Sequence, residues 1–173
     1  GRRRSVCGSP SSARYTPRWL QVISPLNVAA LRDCITHGGG ARSTPPGYVM
    51  YNWETYSQVP IKNLGYSGDT VAAMDARFEA DVLPFHPKIL VIMGGVNDFR
   101  SGAMAQDIIY YLQQIGNKCR MHGIIPVYAT ATPINPHFIA NWSYITTPAV
   151  DWKEQQVLLN QWIMSQQYAV DVA

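Results

Sequence analysis

Five short apolar runs, at residues 26–31, 61–64, 89–93, 124–129 and 168–172, punctuate this chain and constrain its fold more than any other feature. The third, Ile89-Leu90-Val91-Ile92-Met93, is apolar throughout, as a strand buried on both faces must be. Between the runs lie segments of helical character at about 48–58, 70–83, 103–122 and 149–167. A strand–helix–strand rhythm of this kind predicts a parallel sheet covered by helices on both faces. Two of the helices carry clear stripes: Ile108, Leu112, Ile115 and Cys119 on one, and Leu158, Leu159, Trp162 and Ile163 on the other. Both stripes are expected in the core.

A chain of 173 residues with 47% hydrophobic content can build one sizeable core without division. Five of its fourteen basic residues fall in the first eighteen positions (Arg2, Arg3, Arg4, Arg14 and Arg18), in a stretch rich in Ser and Pro. Residues 1–24 therefore read as a solvated tail or linker, and 25–173 as the folded domain. No aromatic residues interleave a second basic cluster, so nucleic acid is not an expected partner. No apolar run approaches the roughly 18 residues needed to span a bilayer, and no signal-peptide core is present. The chain reads as soluble, its compartment open between intracellular and secreted. Cys7, Cys34 and Cys119 have no metal-ligand spacing and an odd count, so neither a metal nor a disulfide framework is expected. The glycine clusters at 38–40 and 94–95 lack nucleotide-loop patterns, and no cofactor is expected. The loop 38–47 beside them reads as flexible, able to shape a pocket.

Chemistry concentrates after the first three runs. The third ends in Gly94-Gly95-Val96-Asn97-Asp98, which delivers a side-chain amide to the carboxyl edge, where open α/β sheets hold their ligand crevice. Taken alone, an Asn-Asp turn before a helix is also an ordinary cap. After the second run comes Asn63-Leu64-Gly65-Tyr66-Ser67-Gly68-Asp69-Thr70, where Asp69 and Thr70 are N-cap candidates for the helix that follows. After the first comes Leu31-Arg32-Asp33-Cys34-Ile35-Thr36-His37-Gly38.

Together the blocks Ser67–Thr70 and Gly95–Asp98 resemble those of the SGNH (GDSL-type) hydrolases, over 26–172 of this chain. The resemblance implies a flavodoxin-like three-layer α/β/α sandwich with a five-stranded parallel sheet in the order 2-1-3-4-5. It also implies ester hydrolysis, often of short acyl or acetyl groups and some of them on carbohydrates, through a covalent intermediate and without a metal. Carried over, the oxyanion donors are the Gly68 N–H, the Asn97 side chain and the Cys34 backbone N–H, with Asp33 supporting the turn. Cys34 stands where that family has its nucleophilic serine, and Arg32 where it has glycine. The family's C-terminal Asp-x-x-His, its base and orienting acid, has no counterpart before Ala173, so the block would come from further sequence or a second chain.

Four histidines are candidates to replace that base. His86 falls before a strand, at the edge opposite the site, His122 ends a helix, where an imidazolium suits the dipole, and His37 and His137 fall in loops that face the site. A helix N-terminus at Cys34 would lower its thiol pKa and favour thiolate. The clustered aromatics Tyr48, Tyr51, Trp53 and Tyr56 are expected to pack against the sheet more than to stack on sugar. Two functions remain open: an ester hydrolase, incomplete or impaired in this chain, and a non-catalytic module that holds an ester or sugar in the same crevice.

Overall fold

The computed structural model describes residues 27–37, 53–134 and 148–173. The tail at 1–24, the loop at 38–47, Tyr48, Tyr51, Cys7 and His137 lie outside them, as does the side chain of His37. Five strands, β1 (Val28–Arg32), β2 (Ile61–Gly65), β3 (Ile89–Met93), β4 (Ile125–Ala129) and β5 (Ala169–Val170), form one sheet in the order β2-β1-β3-β4-β5. Every pairing is parallel. This is the flavodoxin-like arrangement and order expected.

Helices follow the strands: α1 (Cys34–His37), α2 (Val71–Ala76), α3 (Phe78–Asp81), α4 (Val96–Arg100), α5 (Ala105–Met121) and α6 (Trp152–Met164). Leu31, Leu64, Ile92 and Tyr128 lie level on neighbouring strands and point to one face. There they meet Val71, Met74 and Phe78 from α2 and α3, the α5 stripe Ile108, Leu112, Ile115 and Cys119, and Leu159 and Ile163 from α6. Cys119 is fully buried, as its place in the stripe required. Alternation turns Ala30, Arg32 and Asn63 to the other face. That face carries α1, whose Thr36 carbonyl accepts from the Asn63 amide.

Several expectations are corrected. The single helix over 70–83 is two short helices, with Arg77 non-helical between them (φ −98°, ψ 4°). A helix that sequence reading missed, α4, intervenes between the Gly94-Gly95 turn and the long α5. On α6 the stripe is narrower than predicted: Leu159 and Ile163 are buried, but Leu158 is half exposed. Only a 3-10 turn, Trp53–Tyr56, stands in the described part of the segment expected to be helical at 48–58. Trp53 and Tyr56 are exposed there instead of packing on the sheet, although the Trp53 indole donates to Thr36 Oγ1 at 3.1 Å.

Candidate active site

Parallel strands bring their carboxyl ends to one edge, so the segments after β1, β2 and β3 converge whatever their sequence. What distinguishes them here is how they are tied. Gly68 adopts φ +83°, a left-handed conformation that glycine reaches without the Cβ penalty, and the space beside it is open. Gly95 (φ +116°) starts α4, and a Cβ on it would lie 2.9 Å from Leu159 Cδ2. Gly94 allows β3 to approach α2: a Cβ there would stand 2.7 Å from Val71 Cγ2 and collide with Met74 Cε.

Asn97 is therefore not on a bare turn but in the first turn of α4, nearly buried. Its Nδ2 donates to the Asp69 carbonyl at 2.9 Å, next to Gly68. Arg100, one turn later, donates from Nη1 to Asn97 Oδ1 at 3.3 Å and fixes which way the amide faces. Cys34 opens α1 with its thiol half-buried. Burial raises its pKa above the usual 9.0 and the Asp33 carboxylate adds to this, while the Gly68 N–H, its own N–H and Arg100 favour thiolate less strongly. The lowered thiol pKa expected from the helix N-terminus is thus overturned by desolvation. Cys34, Gly68 and Asn97 follow β1, β2 and β3 directly, so the three residues singled out from sequence share one edge of the parallel sheet.

Asp33 is buried, accepts the Ile35 N–H at 3.0 Å and braces the turn. Burial pushes its pKa up. Arg32 ends β1 with its side chain 9% exposed. Its Nε lies 3.7 Å from Asp33 Oδ1, too far for a hydrogen bond, and neither Nε nor Nη2 finds an acceptor. Desolvation brings its pKa down to about 10. A guanidinium fits at the end of β1, then, but with two of its nitrogens unsatisfied.

Sequence reading missed three anchoring residues. Asp98 turns away from the crevice, and both its carboxylate oxygens accept the Val71 N–H at 3.1 Å, capping α2. Asn63 donates to Glu54 Oε1 as well as to Thr36 and accepts the Gly65 N–H at 2.9 Å, joining β2 to the last turn of α1. Arg77 reaches Asp69 Oδ2 (2.7 Å), Asp81 Oδ2 (2.9 Å) and the carbonyls of Leu64 (2.8 Å) and Arg32 (3.2 Å). The sequence signal for Arg77 was its spacing of four from Asp81, but its other partners are distant in the chain. His122 ends α5 and lines a groove with His86 and Lys88, away from Cys34, Gly68 and Asn97. A cavity of about 430 Å³ beside the ends of β4 and β5, lined by Thr130, Asn160 and Asp171 among others, includes none of Cys34, Gly68 and Asn97. Among the described residues no cluster of three or more His, Cys, Asp or Glu is arranged to hold a metal, and no helix is long and apolar enough to cross a membrane.

The family model for GDSL-like lipases and acylhydrolases matches residues 33–169. An uncharacterized lipoprotein, YqeF, of Bacillus subtilis (strain 168) is 32% identical over 84 residues, which is 43% of this chain and 33% of that protein. The chain thus matches about a third of the length of that relative. The lipase/acylhydrolase from Enterococcus faecalis superposes with a TM-score of 0.65 at 16% identity, over 84% of this chain and 74% of its own. An acetyl xylan esterase, AlAXEase, superposes at 0.58 and 19% identity, over 84% and 76% respectively.

Proposed function

Because this chain belongs to the GDSL-like lipase/acylhydrolase family, we propose that it is built for hydrolysis of short acyl or acetyl esters, with Cys34 as nucleophile and Gly68 and Asn97 as oxyanion donors. The observation that carries this reading is the Asn97 Nδ2 bond to the Asp69 carbonyl. It holds a side-chain amide, with a second N–H to offer, beside the loop that carries the Gly68 N–H. In the proposed step the thiol loses its proton to solvent and the sulfur attacks the ester carbonyl carbon. As the S–C bond forms, the C=O pair moves onto oxygen, where the two donors, with the Cys34 N–H, meet the charge. Collapse expels the alcohol oxygen, which takes a proton from water, and a second water hydrolyses the thioester. Likeness to an acetyl xylan esterase supports carbohydrate esters as one substrate class.

We infer that this polypeptide hydrolyses esters slowly, because its thiol is held mostly protonated by burial and a nucleophile that lacks a positioned base forgoes roughly 10²–10⁴-fold of rate. The unsatisfied Arg32 guanidinium beside it favours the second reading, a crevice that holds an ester without cleaving it. Incubating this polypeptide with p-nitrophenyl acetate separates the two. The expected result is slow hydrolysis that Cys34→Ala abolishes and Asn97→Ala slows by about 10²-fold or more. Hydrolysis no faster than that of the Cys34→Ala protein would establish the binding module.

A further inference from the structure

Gly68 itself has nothing to hold it. It is exposed, its φ is +83°, and no atom lies within 4 Å of where its Cβ would be. The direction of its N–H is set by its flanks, Tyr66 and Asp69, and both are held by one side chain. Arg77 Nε donates to Asp69 Oδ2 at 2.7 Å, and the guanidinium lies over the Tyr66 ring, 4.3 Å from its centre. Nη2 donates to the Leu64 carbonyl at the end of β2 and to the Arg32 carbonyl at the end of β1. The Arg32 carbonyl also accepts the Tyr66 N–H at 3.0 Å, and Asp69 N–H closes the loop on the Tyr66 carbonyl at 3.3 Å. A single planar fork thus registers the loop 66–69 against the two strand ends that carry Cys34 and the loop itself. The geometry also explains the break between α2 and α3, since Arg77 leaves the helix where its side chain must turn back to the sheet edge.

We propose that Arg77 is a positioning residue of the oxyanion edge: acting through Asp69 and Tyr66, it holds the loop that carries the Gly68 N–H against the ends of β1 and β2. This rests on the ester-hydrolase reading above. A point charge could not do the same work, because an ammonium lacks the rigid planar fork that serves four acceptors and stacks on a ring. The remaining bond, Nη1 to Asp81, joins the break to the end of α3 and does not touch the loop.

Two reactions of Cys34 separate positioning from mere structure. Acetylation by p-nitrophenyl acetate passes through an oxyanion: the S–C bond forms, the carbonyl pair moves to oxygen, and collapse releases nitrophenolate while the thiol proton goes to buffer. Alkylation by iodoacetamide displaces iodide and develops no oxyanion, yet it feels the same thiol pKa and exposure. Both rates are read by mass spectrometry at Cys34, and their ratio reports the oxyanion edge alone. Arg77→Met and Asp69→Asn are expected to lower the ratio about tenfold or more, as small misplacements of catalytic groups do. Arg77→Lys should resemble Arg77→Met, and Asp81→Asn should leave the ratio unchanged. If Arg77→Met does not melt cooperatively, Asp69→Asn decides. A parental ratio in Asp69→Asn, or full recovery in Arg77→Lys, overturns the positioning role. The Asn97→Ala protein tells which idea has failed. If it lowers the ratio while the Arg77 and Asp69 variants do not, only the role of Arg77 falls; if it too leaves the ratio unchanged, the ester-hydrolase reading falls and takes this inference with it.

Discussion

Burial decides the chemistry of Cys34 before any neighbour does. The Gly68 N–H, the Cys34 N–H and Arg100 all favour its thiolate, yet desolvation and the Asp33 carboxylate outweigh them and leave the pKa above 9.0. Alkylation of Cys34 by iodoacetamide should therefore still rise about tenfold per pH unit at pH 8–9, because the reactive thiolate remains a minor species throughout. A rate that levels off below pH 8 would show that the cationic neighbour prevails. That this residue follows the first strand and opens a helix was legible in the sequence, since its block comes straight after the first apolar run. Its protonation was not, because a dipole argument sees the helix start and not the side chains that close over it. Arg32 teaches the same lesson: its departure from glycine is plain in the sequence, but two unsatisfied nitrogens are visible only once β1 is packed.

At the scale of elements, the start of α2 carries more of the site than its length suggests. Thr70 Oγ1 accepts the Ala73 N–H at 3.3 Å, and Asp98 reaches across from α4 to cap Val71. These bonds seat α2 between the loop bearing Gly68 and the helix bearing Asn97. Thr70→Ala should cost about 1 kcal/mol of stability, as loss of a side-chain cap does, measurable as a lower urea midpoint with unchanged slope. An unchanged midpoint would mean that Asp98 alone suffices. Strand positions were readable to within a residue or two, since an apolar run bounded by polar turns leaves a strand few places to begin. Helix interruptions were not. Val96–Arg100 is too short to display a helical period, and the break at Arg77 is caused by acceptors at Arg32, Leu64 and Asp69 that no local pattern reveals. The cap candidates Asp69 and Thr70 divided their roles: Thr70 caps α2, while Asp69 is taken up by Arg77 and Asn97.

For the whole molecule, the strand rhythm predicted a parallel sheet, whereas the order β2-β1-β3-β4-β5 followed only from the family resemblance, because periodicity carries no information about which strands are neighbours. That order places two buried carboxylates, Asp33 and Asp98, near one another at the same edge. Burial raises both, and it pushes Asp98 up to about 6, with the charge of Asp33 contributing. The consequence for global stability has a definite sign. With a folded pKa near 6 and an unfolded one near 3.8, native Asp98 holds a proton across that interval while the unfolded chain does not. Its contribution is thus fully present below about pH 4 and is lost as pH rises through 6. Asp98→Asn keeps an acceptor for Val71 but abolishes the titration. The stability difference between parent and variant should therefore be larger at pH 4.5 than at pH 7.5 by about 2 kcal/mol. Effects of pH on the Arg77 and Lys118 ion pairs are common to both proteins and cancel in the difference. Urea midpoints of the two proteins at both pH values measure it. A difference that is equal at the two, or smaller at pH 4.5, would mean that Asp98 is ionised throughout, and that its bonds to the Val71 N–H outweigh the loss of water around it.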